Sequence, residues 1–212
     1  MKKAIVMMLA VVAAIGVKAQ TIVPLGTPQW DKSKEGSATL VETLQSRHSE
    51  RSFASDEITD AELSKILWAA CGINRREQKR ITAPSAINAQ DVVVYVCRKD
   101  GAYRYNALQQ QLEKVSDKDL RTAVAGRQEF AAKAPVSLVL VSDQSKFGNR
   151  TGEGTQLMGA IDCGYVSQNI CLMCEAMKLK TVPRATMDKT LLATELHLGD
   201  NQLILLNHPI GR

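Results

Sequence analysis

Asp91-Val92-Val93-Val94-Tyr95-Val96-Cys97 is the stretch on which the fold turns. A strand with one wetted face alternates apolar and polar residues, but this run is apolar at every position after Asp91. Both faces must therefore be covered, and the run is expected as a central strand between packed layers. Val136-Ser137-Leu138-Val139-Leu140-Val141 reads as a second buried strand and Gln202-Leu203-Ile204-Leu205-Leu206 as a third. Asp100-Gly101 is a hairpin signal, with Ala102-Tyr103-Arg104-Tyr105 as the returning strand.

Helices fill the spaces between these strands. Thr39-Leu40-Val41-Glu42 and Thr59-Asp60-Ala61-Glu62 are capping-box patterns, each opening a helix. In the second, Leu63, Ile66, Leu67 and Ala70 share a face and Gly72 supplies the stop. Residues 159–177 form a long apolar segment with Asp162, Gln168 and Asn169 as its polar interruptions, and it is expected as the central core helix. Residues 108–115, 117–124 and 187–196 also read as helical, the second capped by Ser116. Gln128 to Ala134 extends that helix until Pro135. Residues 143–153, with Gly148 and Gly152, are the candidate for a mobile loop. Strands and helices thus mix in one α+β domain.

At 212 residues the chain suffices for one domain with a full core. Hydrophobic content of 45% and charged content of 23% exclude both disorder and a membrane bundle as the leading class. Of the formal charge of +5, Lys2, Lys3 and Lys18 carry three, and the remaining +2 gives no footing for nucleic-acid binding. Those lysines belong to residues 1–19, which have the basic n-region, apolar h-region and Val17-Lys18-Ala19 site of a signal peptide. The expectation is an exported, periplasmic protein with no stable membrane span once the leader is removed. Residues 20–38, punctuated by Pro24, Gly26, Pro28 and Gly36, are expected as an irregular lead-in to a domain over 39–212. Cys171-Leu172-Met173-Cys174 has redox-motif spacing but lies inside the apolar helix. Its thiols are expected as core-filling groups, and no metal site is read.

Two polar clusters suggest a ligand. Arg47-His48-Ser49-Glu50-Arg51 crowds two guanidiniums, an imidazole and a hydroxyl where the first helix ends. Such a set is either a solvated helix end or one wall of an anion site, with phosphate the usual guest. Ser85, Asn88 and Gln90 stand just before the central strand. Asn and Gln offer a donor and an acceptor each, which suits the amide-like edge of a heterocycle. The plainer reading makes Ser85 a helix cap and Asn88 a turn residue.

The order of these pieces resembles the nitroreductase-like family of FMN-dependent oxidoreductases. It comprises RHSER, a helix ending WAACGINR, APSAINAQ before VVVYV, an Asp-Gly hairpin, a long helix containing QNICL, and a closing HPIGR. The resemblance runs from about Thr39 to Arg212. It implies a central mixed β-sheet flanked by helices, a long buried core helix, and a homodimer with FMN at the subunit interface. By the same resemblance Arg47 would hold the FMN phosphate, His48 and Ser49 would line the cofactor, and Arg51 would approach the N1/O2 edge as the catalytic cation. Ser85, Asn88 and Gln90 would face the cofactor, with Gly211 and Arg212 near the phosphate. Two positions depart from the family pattern. Lys178-Leu179-Lys180 replaces a Gly-Leu-Gly-like stop, and Arg184-Ala185 stands where a glycine N–H commonly approaches flavin N5, so Arg184 is counted among the cofactor-facing residues.

The implied activity is ping-pong hydride transfer through FMN N5, from NAD(P)H to nitroaromatic, quinone-like or related conjugated acceptors. Export argues against a nicotinamide donor. The alternatives are a flavin-dependent dehydrogenase or dehalogenase with another donor, and a non-catalytic binder of flavin or another planar ligand.

Overall fold

The computed structural model describes residues 20–212; the candidate leader at residues 1–19 lies outside them. The sheet has seven strands. They are β1 (Ile22–Pro24), β4 (Val92–Arg98), β5 (Gly101–Asn106), β6 (Gln111–Ser116), β7 (Val136–Asp143), β8 (Lys180–Thr181) and β9 (Gln202–Gly211), in the order β1-β6-β5-β4-β7-β9-β8. A separate hairpin joins β2 (Ile73–Arg75) to β3 (Arg80–Ile81). The helices are α1 (Leu40–Ser46), α2 (Asp60–Cys71), α3 (Arg121–Ala125), α4 (Glu153–Ala176) and α5 (Lys189–Glu195).

The α+β expectation holds, and the strand read as central lies at the middle of the sheet. Its two faces serve two cores. Val94 and Val96 pack with Leu63, Ile66 and Leu67 of α2 and Val166 and Ile170 of α4. Tyr95 and Cys97 pack with Val124 of α3 and Leu192 of α5. This is why the run carries no polar alternation.

Five expectations are corrected. Every pairing in the seven-stranded sheet is antiparallel rather than mixed. Residues 111–116 are strand, because pairing with β5 on one side and β1 on the other outweighs the helical propensity of Gln, Leu, Glu and Lys. The lead-in is not wholly irregular, since Ile22–Pro24 forms that edge strand. Helix α3 begins only at Arg121, with Leu120 rather than Ser116 before it, and Gly126 separates it from a 3-10 turn over Glu129–Lys133. Part of the candidate loop is also ordered structure: Gln144–Phe147 is a 3-10 turn pinned by the fully buried Phe147, and α4 already starts at Glu153.

Both capping boxes form as read, with Thr39 and Thr59 each reciprocally bonded to the glutamate three residues on. Gly72 does stop α2, but in extended backbone rather than the left-handed form. Glycine is required there because a Cβ would lie 2.5 Å from the Trp68 ring. Glu62 does double duty: one oxygen caps α2 through Thr59 and the other accepts from Arg212 at 2.7 Å. Thr59→Ala is expected to lower stability by about 1 kcal/mol, seen as a lower urea midpoint at unchanged m-value.

Candidate functional site

The pentad leaves α1 as an extended strap. Arg47 closes the helix, its N–H donating to Thr43 O at 2.9 Å. Beyond it, Glu50 N–H donates to Thr181 O at 3.0 Å and Ala54 N–H to Arg212 O at 2.7 Å. The strap therefore lies along β8 and the end of β9, which brings Arg47 to Arg51 beside Gly211 and Arg212. These two segments, about 160 residues apart in sequence, lie side by side through the Ala54–Arg212 backbone bond.

Within the strap the side chains divide into occupied and free. His48 is exposed, its Nδ1 2.8 Å from Ser46 O and its Nε2 2.7 Å from Glu50 Oε1. The Ser46 carbonyl first, then the Glu50 carboxylate, holds its imidazole above the ordinary value. Ser49 is exposed. The Arg47 and Arg51 guanidiniums make no hydrogen bond or ion pair among the described residues. Arg47 does stand close enough to α4 for its charge to act on the Cys171 thiol. Arg212 instead points its guanidinium at Glu62. Gly211 allows close packing, since a Cβ there would sit 3.0 Å from Pro135 Cδ and 3.3 Å from the Phe53 ring.

The second cluster is a strained loop. Ile87, Asn88 and Gln90 have φ of 51°, 58° and 50°, a left-handed region that a β-branched residue such as Ile87 rarely enters. The restraint comes from below. Ser85 Oγ donates to Asp162 Oδ2 at 2.8 Å and accepts from Gln90 N–H at 2.8 Å, while Ala86 N–H donates to Asp162 at 2.9 Å. Gln90 Nε2 in turn donates to Lys79 O at 2.9 Å and Asn88 Oδ1 at 3.1 Å. Ser85 is thus a structural anchor, Gln90 ties the loop to the turn of the β2–β3 hairpin, and Asn88 and Ile87 are the exposed groups. Asp162 was visible in the sequence only as a carboxylate on an apolar helix; its partner Ser85 is 77 residues away.

Helix α4 carries both clusters. Asp162 under the loop and Cys171 beside Arg47 are nine residues apart, about 14 Å along the axis. The neighbouring groove of about 1050 Å³ has the wrong sign for a phosphate, because Asp31, Glu35, Glu42, Glu62 and Glu175 outnumber Lys34, Lys65 and Lys178 on its walls.

Arg184 does not join the site. It is buried on the α3 side of the sheet, where Nε donates to Gln128 Oε1 at 2.7 Å, Nη1 to Asn207 Oδ1 at 2.8 Å and Val124 O at 3.3 Å, and Nη2 to Ala125 O at 2.7 Å and Thr186 O at 3.1 Å. Its donors are all taken, so its expected place facing the cofactor is corrected to a clamp on the end of α3. His208 is likewise a core residue. Thr181 Oγ1 donates to Pro209 O and so accepts from His208 Nδ1, leaving Nε2 to accept from Ser167 at 2.8 Å. Burial pushes its pKa down to about 3, so it stays neutral. Cys171 and Cys174 are buried free thiols, raised by burial, as their place in an apolar helix suggested.

A family model described as "Nitroreductase family" matches residues 44–212. The chain is 28% identical to a protein of Methanocaldococcus jannaschii provisionally named a nitroreductase, over 82% of this chain and 90% of that one. It is 30% identical to a solved structure from Ralstonia eutropha, also provisionally named a nitroreductase, with a TM-score of 0.83 and coverage of 98% and 96%. A Staphylococcus epidermidis structure, provisionally named an NAD(P)H:FMN oxidoreductase, shares the fold at 17% identity, with a TM-score of 0.64 and coverage of 82% and 86%.

Proposed function

This chain belongs to the nitroreductase family of oxidoreductases, and from that premise we propose that it is an exported, FMN-dependent enzyme acting as a homodimer. The observation that carries the reading is the pair of unpartnered guanidiniums, Arg47 and Arg51, on an exposed strap, together with a strained loop, anchored on Asp162 of α4, that presents Asn88. Such an arrangement fits a ligand with a dianionic end and a planar, amide-edged end.

FMN, when bound, supplies two-electron redox chemistry that no side chain of this site carries. The protein's part is binding and charge. Arg47 holds the phosphate by bidentate hydrogen bonds. Arg51, four residues along the strap, places a cation at the edge of the ring system where negative charge accumulates on reduction. Asn88 Nδ2 donates to the heterocycle, its Oδ1 already accepting from Gln90, and the bonds that Ser85 and Ala86 donate to Asp162 keep its loop in a conformation it would not hold alone. With one chain only, these groups lie at the surface. Helix α4 also exposes Leu157, Ile161 and Tyr165 at four-residue spacing, and α1 exposes Leu40, Val41 and Leu44. A second copy covering these stripes would exclude water from the site, and their burial would stabilise the dimer at roughly 25 cal/mol per Å².

Acceptors in this reading are nitroaromatic, quinone-like or related conjugated compounds. Residues 1–19 favour a second reading on the same fold, a dehydrogenase or dehalogenase that draws electrons from a donor other than NAD(P)H, because an exported protein leaves the nicotinamide pool behind. Purified protein mixed with FMN is expected to retain a flavin absorbance band through gel filtration at dimer size. A colourless protein eluting as a monomer contradicts the proposal. Stopped-flow bleaching of the bound flavin by NADH or NADPH then favours the first reading, and bleaching by substrate alone favours the second.

A further inference from the structure

Beneath the strained loop lies a pair of buried acids whose shared protonation the flavin reading does not address. Asp91 and Asp162 are 0% and 1% exposed, and neither forms an ion pair among the described residues. Their hydrogen bonds are unequal. Asp162 accepts from Ser85 Oγ and from Ala86 N–H with both oxygens, as a carboxylate anion would. Asp91 Oδ2 accepts from Ser142 Oγ, while its Oδ1 is buried with no partner. An orphaned buried oxygen beside another carboxylate makes sense once it carries a proton, because it then has something to donate and an acceptor to receive it.

We propose that Asp91 and Asp162 form a one-proton acid pair that positions the Ser85–Gln90 loop, with Asp91 protonated on Oδ1 and donating to an ionised Asp162. Neither residue touches the reacting atoms; both act through the loop. The titratable groups facing the pair are few. Helix α4 contributes Cys163, with Cys71 of α2 behind it, both thiols that burial raises and keeps neutral. Beside Ser142, the Asp143 carboxylate is occupied by Ser145 N–H and Oγ. No lysine, arginine or histidine of these elements compensates a second negative charge. Gly159 closes the roof of the cluster, since a Cβ there would lie 2.2 Å from Ser142 Oγ and 2.7 Å from Gln144 Nε2.

Losing the shared proton would place two anions side by side in a buried site. The readiest relief is to let Asp162 turn towards water, which breaks its bonds to Ser85 and Ala86 and frees the three left-handed residues of the loop. Burial first, and Asp162 second among the raising causes, push the Asp91 pKa up to about 7. A carboxyl raised on folding contributes stability that is full below its unfolded value near 4 and is lost as pH rises through its folded value. The hold on the loop therefore weakens progressively as pH rises from about 4 and is weakest above neutrality.

The pair itself is tested on protein without flavin, so the result stands apart from the flavin reading; only the consequence for the cofactor rests on that reading. In a 13C titration of the aspartate carboxyls, Asp91 Cγ is expected to move with a midpoint near neutrality, and a midpoint below about pH 5 overturns the pair. Amide exchange at Ala86 and Gln90, corrected for intrinsic rate, is expected to speed up by about tenfold or more between roughly pH 6 and pH 8.5. Asp91→Asn, whose amide imitates the protonated acid, should remove that pH dependence, and Asp162→Asn should lose the protection at every pH. Equal protection at both pH values in the unaltered protein overturns the proposal. Should Asp91→Asn not fold, the carboxyl titration of the unaltered protein decides alone. With FMN added, affinity is expected to weaken above neutrality in the unaltered protein and to stay level in Asp91→Asn. Absence of flavin binding altogether would count against the cofactor and leave the exchange result standing.

Discussion

Arg184→Ala is expected to lower stability by about 2–4 kcal/mol, among the largest effects of any single substitution in this chain. The guanidinium is 7% exposed and meets five acceptors, Gln128 Oε1, Asn207 Oδ1 and the carbonyls of Val124, Ala125 and Thr186. Two of those carbonyls end α3, where the helix has no N–H left to offer them. Alanine would leave Val124 O, Gln128 Oε1 and Asn207 Oδ1 without a donor, while Ala125 O keeps the Gln128 N–H and Thr186 O keeps Asn207 Nδ2. Part of the loss is returned because the charge itself is held at a disadvantage, its pKa lowered by burial with no carboxylate opposite. The Phe130 ring, 5.6 Å from the guanidinium carbon, adds a cation–π contact that alanine also removes. Arg184→Lys is expected to recover little, since three ammonium donors cannot meet five acceptors spread around a planar fork. Urea unfolding of both variants measures this. A variant of unchanged midpoint that has lost flavin affinity would instead place Arg184 against the cofactor.

Arg184 also marks the limit of what was legible in the sequence. Local signals carried well. The two capping boxes, the apolar run of the central strand and the Asp-Gly hairpin are decided within a few residues, and each formed where it was read. Non-local partners did not show. Nothing near Arg184 announces Gln128 or the end of α3, some 60 residues earlier, and its place in the family pattern suggested an outward-facing role. Residues 111–116 failed for a related reason: Arg104 across the hairpin pairs with Glu113, and Leu112 is fully buried, but both facts exist only once the strands have met. At the candidate site, the types of residue were legible and their division of labour was not. Ser85 looked like a ligand and proved an anchor, because its acceptor Asp162 comes from a helix read separately. Asn88, one of the plainest turn candidates, is the group left exposed.

The largest functional effect is expected at Arg47. Its side chain makes no hydrogen bond or ion pair in the described chain, so Arg47→Ala removes nothing that holds the fold. Helix α1 keeps its capping box at the other end, and the strap keeps the backbone bonds of Glu50 and Ala54. The thermal midpoint should accordingly move little. The loss falls on the ligand. A bidentate guanidinium–phosphate contact comprises two charge-assisted hydrogen bonds, each contributing about 1.5–3 kcal/mol, so FMN affinity should weaken by roughly two orders of magnitude or more. Arg47→Lys keeps the charge without the fork and should fall between. Arg51→Ala separates the two roles. If Arg51 stabilises charge that appears on reduction, its removal should weaken binding of reduced flavin more than of oxidised flavin, which lowers the midpoint potential at nearly constant Kd for the oxidised form. Titrating flavin fluorescence against each variant measures the first quantity and spectroelectrochemistry the second. An Arg47→Ala protein that binds FMN as tightly as the parent would remove the phosphate from this end of the strap and leave the two unpaired cations without a ligand.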